Sequence, residues 1–407
     1  MIKREQYLKK LRQLRDTNLI KVATGIRRAG KSTLLQMFRQ ELIDDGINKD
    51  NTQYINFEDP AFYRPDDWRS IYEEITSKLV KNTKNYVFLD EIQNIKEFER
   101  LADGLFVHPD VDLYITGSNA YMLSGELATL LSGRYIEIRV LPLSFAEYYD
   151  FWQDRNLPID RQQLFDQYLQ MGGFPEVANL LVNGLNGQVS DYLQTIYNTV
   201  VEKDIMTRYN FSPNPVFDNV LKFALDTVGS LISPNNIKNT INVERDKESK
   251  VGLERIDNYL QAFTESFILN KAIRYDIKGK NLLKTLNKYY PIDTGLRNNL
   301  LGKDSIDSGH LLENVIYLEL LRRGNKIWIG KVDEKEVDFV IQTPDGYTEY
   351  YQVAETMLGE ETRQRELSAF NKINDHNIKY IITRDVGEYS HNGIRQVNAI
   401  DWLLGKN

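Results

Sequence analysis

The chain contains no cysteine, which excludes disulfide frameworks, thiolate zinc sites and cysteine nucleophiles together. Its four histidines, His108, His310, His376 and His391, are widely spread, so a histidine-rich metal site is not expected. No apolar run reaches the roughly 18 residues that span a bilayer. The opening MIKREQYLKKLRQLR carries charges where a secretory leader would be apolar. These absences point to a soluble, cytoplasmic protein without a membrane partner. Among the 407 residues, 42% are hydrophobic and 27% charged, which excludes a disordered or fibrous chain. At about 100–200 residues per domain, roughly two to four domains are expected. A net charge of −7 does not mark a nucleic-acid binder, although residues 1–50 hold twelve Lys/Arg against six Asp/Glu. That local excess reads as a solvated helix face plus a phosphate loop.

The first 145 residues alternate strand-like and helix-like stretches, the pattern of a parallel sheet flanked by helices. Strands are expected at 20–25, 53–58, 86–91, 112–118 and 134–143, several as near-continuous apolar runs suited to burial on both faces. From about 145 to 280 apolar residues fall at helical spacing, with Gly172-Gly173-Phe174-Pro175 as a helix stop. The charged run 241–250 reads as an exposed loop. SPNNIKNT and LERIDNYLQAFTES suggest two short helices, which fit a helix-turn-helix or winged-helix unit as well as a plain helical lid. After about 285 come a helix at 310–324, a strand at 326–330, a hairpin of 336–342 with 348–355, a helix around 361–374 and a strand at 379–383.

One motif carries specific chemistry. Gly25-Ile26-Arg27-Arg28-Ala29-Gly30-Lys31-Ser32 is a complete GxxxxGK[ST] loop between a predicted strand and a predicted helix, with Thr33 following in the helix. The glycines let successive N–H groups face the phosphates of ATP, and the helix start adds its unpaired donors. Lys31 is expected at the β- and γ-phosphates and the Ser32 hydroxyl on Mg²⁺. A second apolar strand ends in Asp90-Glu91, with Asp90 suited to the Mg²⁺ shell and Glu91 to general-base activation of water. The strand ending Thr116-Gly117-Ser118-Asn119 offers Ser118 and Asn119 to sense the γ-phosphate or orient the water. Arg134, before the fifth strand, could project toward a neighbouring subunit's nucleotide in an oligomer, or form a surface salt bridge.

The phrases GIRRAGKSTLL, YVFLDEIQN, YITGSNAYMLSGE, LSGRYIEIRVLPLSFAEY, MGGFPEV and KYYPIDTGLRNNLLG resemble the prokaryotic AAA+ ATPases that carry a C-terminal nuclease-like domain of unknown function. The resemblance runs from about Ile20 to Arg384. It implies an α/β fold with an AAA+ P-loop parallel sheet, a helical and winged-helix-like region, and a small restriction-endonuclease-like α/β domain. The corresponding boundaries are 1–145 for the ATPase domain, 146–284 for the helical region and 285–407 for the nuclease-like domain.

An endonuclease core needs an Asp on one strand, Glu-x-Lys on the next and often a Glu on the preceding helix. Here Glu313 falls on the helix, Asp338 on the first hairpin strand and Gln352 on the second, with Ala354 where the lysine would stand. These residues either form a second candidate metal site, without an ammonium, or satisfy each other by hydrogen bonding, and nuclease activity is not expected. The leading expectation is Mg²⁺-dependent ATP hydrolysis coupled to a C-terminal region that docks on DNA or a protein partner. The alternatives are an ATP-regulated, metal-dependent DNA nuclease and a non-catalytic nucleotide switch or scaffold.

Overall fold

The computed structural model describes residues 2–62, 66–123, 131, 133–155, 157, 160–212, 214–243, 250–302, 307–387 and 389–406. Of the charged run at 241–250, residues 244–249 lie outside the described residues, as do 124–130 and Ser132 of the motifs around Arg134. The chain divides into two compact units, Met1–Leu141 with Glu265–Phe267, and Pro142–Thr264 with Ile268–Asn407.

The first unit is built on five parallel strands: β1 (Ile20–Thr24), β2 (Thr52–Asn56), β3 (Asn85–Asp90), β4 (Val111–Gly117) and β5 (Tyr135–Arg139). Their order is β2-β3-β4-β1-β5. Every residue of β1, β3 and β4 is buried, the reason those strands read as unbroken apolar runs. The last strand is shorter than the expected 134–143. The Val140 N–H still bonds to the Thr24 carbonyl at 2.7 Å, but Pro142 has no N–H with which to continue. Helices α2 (Lys31–Asp44), α3 (Trp68–Ser77) and α4 (Phe98–Phe106) alternate with the strands. The charged opening forms α1 (Glu5–Leu14), which buries Tyr7, Leu8 and Leu11. Ahead of it, the buried Arg4 guanidinium donates to the carbonyls of Ala29 at 2.9 Å and Leu141 at 2.7 Å. Part of the local basic excess is therefore an internal brace under the glycine loop. Because all five strands run the same way, their carboxyl ends share one edge, where Gly25, Glu91 and Ser118 follow β1, β3 and β4.

The second unit begins with helices α5 (Phe145–Gln153), α6 (Arg161–Met171), α7 (Pro175–Val182) and α8 (Val189–Thr199), the last prolonged by a π-helical stretch, Val200–Met206. Helices α9 (Pro215–Asp226), α10 (Pro234–Ile241) and α11 (Leu253–Glu265) follow. Their starts are local chemistry. Ser144 and Glu147 form a capping box, Asp160, Asn214 and Ser233 accept backbone N–H bonds, and α7, α9 and α10 open on proline.

The glycine pair after α6 has a tertiary reason. Asp293 caps α12 (Thr294–Leu301) by accepting the Leu296 N–H at 2.8 Å, and its other oxygen accepts the Gly173 N–H at 2.7 Å. A Cβ on Gly172, whose φ is +81°, would lie 2.2 Å from that carboxylate. Gly172→Ala is thus expected to destabilise the unit by about 2–4 kcal/mol, read as a lower melting temperature; an unchanged melting temperature would refute the contact. Two separate motifs, MGGFPEV and PIDTGLRN, meet here.

The remaining strands are β6 (Leu269–Asp276), β7 (Asn281–Pro291), β8 (Lys326–Val332), β9 (Lys335–Gln342), β10 (Thr348–Ala354), β11 (Ile378–Thr383), β12 (Tyr389–His391) and β13 (Ile394–Asn398). They form one sheet ordered β12-β13-β11-β10-β9-β8-β6-β7, packed with α13 (Ser308–Arg322), α14 (Glu360–Phe370) and α15 (Ala399–Leu403). The hairpin of β9 and β10 forms as expected, with Thr348 opposite Gln342. The boundary expected between residues 284 and 285 is corrected: it falls inside β7. Strand β6 also lies in a stretch read as helical. It pairs with β7 on one side and β8 on the other, so non-local ladder bonds decide its conformation and merge the two expected domains into one unit.

Candidate active site

The loop after β1 is shaped by a close approach. Gly25 has φ +143°, and a Cβ there would lie 2.1 Å from the Val140 carbonyl oxygen. Ile26 and Ala29 are buried and anchor the loop, while Arg27 pairs with Glu58 at 3.1 Å. Arg28 takes a left-handed conformation, Gly30 caps α2, and Thr33 is exposed on its first turn. Lys31 is buried, donating to the carbonyls of Gly25 at 3.0 Å and Ile26 at 3.2 Å. Its ammonium lies 3.6 Å from Glu91 Oε1.

Ser32 and Asp90 come together as the motif demands: the Ser32 hydroxyl donates to Asp90 Oδ1 at 3.0 Å. Two further hydroxyls orient the same carboxylate, Thr116 on Oδ1 at 2.6 Å and Tyr54 on Oδ2 at 2.7 Å. Thr116 also accepts the Glu91 N–H at 2.8 Å. One hydroxyl therefore fixes both acids. Glu91 itself sits in the left-handed region, φ +53°, which turns its side chain back toward Lys31. Gln93 donates to Glu91 Oε2 and, at 3.3 Å, to the Ser118 hydroxyl. Burial pushes the Glu91 carboxyl up, but the Lys31 ammonium outweighs it with help from Gln93, Arg27 and Ser118, and holds it below the ordinary carboxylate range. Glu91 is thus ionised at neutral pH, as a base must be.

Ser118 bonds to the acid directly and is also linked to it through Gln93, whereas the Asn119 carbonyl accepts the Met122 N–H at 3.3 Å and opens the turn Ala120–Leu123. Arg134 is not brought to this constellation. It precedes β5 at the amino ends of the strands, its carbonyl accepting the Ile20 N–H, and the phosphate loop lies at the other edge. A five-residue strand separates the two edges by about 16 Å. Its guanidinium pairs with Asp103 at 2.5 Å. Tyr54, Thr116, Gln93 and Arg4 were invisible as site residues; only the alternation within QYINFE and YITGS, combined with the strand order, could have marked the first two.

The second candidate site is also rearranged. Lys288, on β7, places its buried ammonium 2.9 Å from Glu313 Oε1, 2.7 Å from Glu336 Oε1 and 3.9 Å from Asp338 Oδ1. Tyr290 donates to Glu313 at 2.7 Å. Burial draws the lysine pKa down, but the three carboxylates overcome it and push it up. Asp338 is pushed well above its ordinary value by burial and by Glu313, against Lys288 and the Val353 N–H. The Gln352 carbonyl, expected as a weak metal ligand, accepts the Asp338 N–H at 3.2 Å, and its amide donates to Glu366 at 2.7 Å. The expectation of Glu313, Asp338 and Gln352 as a metal site without an ammonium is corrected: a lysine from outside the hairpin is the cation among these acids. Among the described residues, no group of three or more His, Cys, Asp or Glu is arranged to hold a metal ion. No described helix is long and apolar enough to cross a membrane.

Comparison with known proteins agrees with this geometry. Residues 17–149 match the AAA domain family, and residues 162–307 match a domain of unknown function, DUF8612. An uncharacterized protein of Haemophilus influenzae is 38% identical over 99% of both chains. Another, from Methanocaldococcus jannaschii, is 31% identical over 91% of this chain and 83% of its own. This chain belongs to their family. Its fold is similar to that of the Walker-type ATPase of Pyrococcus abyssi, with a TM-score of 0.51 at 16% identity, covering 74% of this chain and 96% of that one. Residues 17–149 of this family member therefore form a P-loop domain of the AAA type.

Proposed function

We propose that the protein hydrolyses ATP in a Mg²⁺-dependent reaction and uses the cycle to control what its second unit binds, nucleic acid or a protein partner. The observation that carries this reading is the convergence of Lys31, Ser32, Asp90 and Glu91 at the carboxyl edge of one parallel sheet. The loop N–H groups and the start of α2 would cradle the triphosphate, with Lys31 on the β- and γ-phosphates. Mg²⁺ fits the hard oxygens of Ser32 and Asp90, and when bound it would neutralise charge developing on the phosphates. Glu91 would accept the proton of the attacking water, held in place by its own N–H on Thr116 and by Gln93. Gln93 links that base to Ser118, so a contact between Ser118 and the γ-phosphate would be felt at the base.

The connectivity of the second unit supports the finer reading. Helices α9, α10 and α11 precede the β6–β7 hairpin, and Ile232 pairs with Asn287, the order of a winged helix. Helix α13, strands β8 to β10, helix α14 and strand β11 follow the α-β-β-β-α-β order of a restriction-endonuclease-like domain. Lys288 occupies the space among Glu313, Glu336 and Asp338 where a metal ion would sit, which supports binding over metal-dependent cutting. The test is the ATPase rate with and without single- and double-stranded DNA over a range of protein concentrations. Turnover that requires Mg²⁺ and changes with DNA is the expected result; a rate indifferent to Mg²⁺ would overturn the mechanism, and one indifferent to DNA the choice of nucleic acid as partner.

A further inference from the structure

The second unit holds a cleft of about 560 Å³ that none of the residues discussed above enters. That volume lies within the about 300–1,000 Å³ usual for small-molecule sites. Along one side the rings of Tyr351 and Tyr380 stack with centroids 4.9 Å apart and planes 18° from parallel. Trp402 meets Tyr351 edge-on at 6.0 Å. Arg323 lies over the Trp402 ring at 3.8 Å, and its fork is fixed by bonds to the Trp402 carbonyl and to Glu319, both 2.9 Å. Arg395 is exposed and lies over the Tyr380 ring at 5.9 Å. Glu349 accepts the Tyr351 hydroxyl at 2.6 Å.

The chemistry of these six residues selects a guest. Aromatic walls alone would suit an apolar or a cationic ligand. Arg323 shares Glu319 with Arg322, so with Arg395 three guanidiniums face the two carboxylates Glu319 and Glu349, an excess that disfavours a cation and calls for an anion. A flat aromatic body with an attached anion is a nucleotide: the base would lie against the tyrosines, the phosphate would meet the arginines, and Glu349 could accept an amino N–H or a sugar hydroxyl. We propose that this cleft is a second nucleotide-binding site, separate from the phosphate loop, that takes one unpaired nucleotide, free or at the end of a single strand. The proposal deepens the reading of the second unit as a nucleic-acid-binding part and rests on it. It also says where such contact would lie. The exposed face of α11, where a winged helix would meet a groove, carries Glu254 and Asp257 against Arg255 and so repels phosphate.

The test uses the full chain carrying Lys31→Ala, so that the phosphate loop does not compete. Fluorescence anisotropy is read with a fluorescein-labelled (dT)12 strand, its blunt duplex with (dA)12, and a labelled nucleoside monophosphate. Arg395→Ala and Tyr380→Leu change partly exposed side chains and preserve the fold. Each is expected to weaken the binding of strand or monophosphate about tenfold and, in the chain with Lys31 intact, to leave ATP turnover unaltered. Monophosphate binding alone identifies a free nucleotide as the guest, and preference for the strand identifies a strand end. The proposal is overturned if neither probe binds, if the duplex binds as tightly as the strand, or if both variants bind as wild type does. ATP turnover is scored separately: if it fails while the cleft binds nucleotides, the ATPase reading falls and this site stands.

Discussion

Glu91→Gln is expected to bind ATP as tightly as the wild type while hydrolysing it at least about a hundredfold more slowly, the usual contribution of a positioned general base. The amide keeps the shape of the side chain but cannot take a proton from water. The change should not disturb Asp90, because Thr116 and Tyr54 hold that carboxylate independently. Lys31→Ala should fail earlier in the cycle. It removes the charge-assisted donor that the loop motif aims at the β- and γ-phosphates, so ATP affinity should fall by about ten- to a hundredfold. Binding of a fluorescent ATP analogue separates the two variants, and single-turnover hydrolysis separates binding from chemistry. Equal turnover in Glu91→Gln and wild type would remove Glu91 from the role of base.

The other large effect is on stability. Lys288→Met should destabilise the second unit by about 3–5 kcal/mol, because it leaves Glu313 and Asp338 buried without their cation. The deficit should depend on pH in a defined direction. Asp338 is already raised in the folded state, and without the ammonium the acid pair rises still further above its unfolded value, so the folded state binds more protons than the unfolded one. The variant's stability then falls as pH rises through the folded pKa and recovers toward acid, where one carboxyl is protonated. Adding Asp338→Asn removes one of the opposed charges and should restore part of the loss. Thermal unfolding of the single and double variants at pH 5 and pH 8 measures both effects. A single variant as stable as wild type at pH 8 would show that the lysine does not compensate these acids.

These two sites differ in how far they could be read from the chain. The phosphate loop is contiguous: its glycines, lysine and serine stand within eight positions, and the backbone itself makes the cradle. Asp90 and Glu91 were readable for a related reason, since an apolar strand ending in two acids is a local pattern. Thr116 and Tyr54 were not, because what makes them ligands of Asp90 is the lateral order of parallel strands. Arg134 was offered either to a neighbouring subunit's nucleotide or to a surface salt bridge, and within this chain it forms the salt bridge, with Asp103.

The acid cluster of the second unit marks the limit more sharply. Glu313, Asp338 and Gln352 were found by spacing along the helix and hairpin, and the lysine was judged absent because Ala354 stands where local spacing would place it. Lys288 belongs to β7, a strand formed by pairing with β6, which in turn pairs with β8. By itself the amino-acid sequence determined the parallel α/β class of the first unit, the phosphate loop and its paired acids, since these follow from hydrophobic period and contiguous backbone chemistry. Only the tertiary structure decided which hydroxyls orient Asp90, which cation answers the buried acids, and that the expected helical and nuclease-like regions form one unit. Those depend on strand pairing between distant segments, and the energy of such pairing resides in contacts that no local window contains.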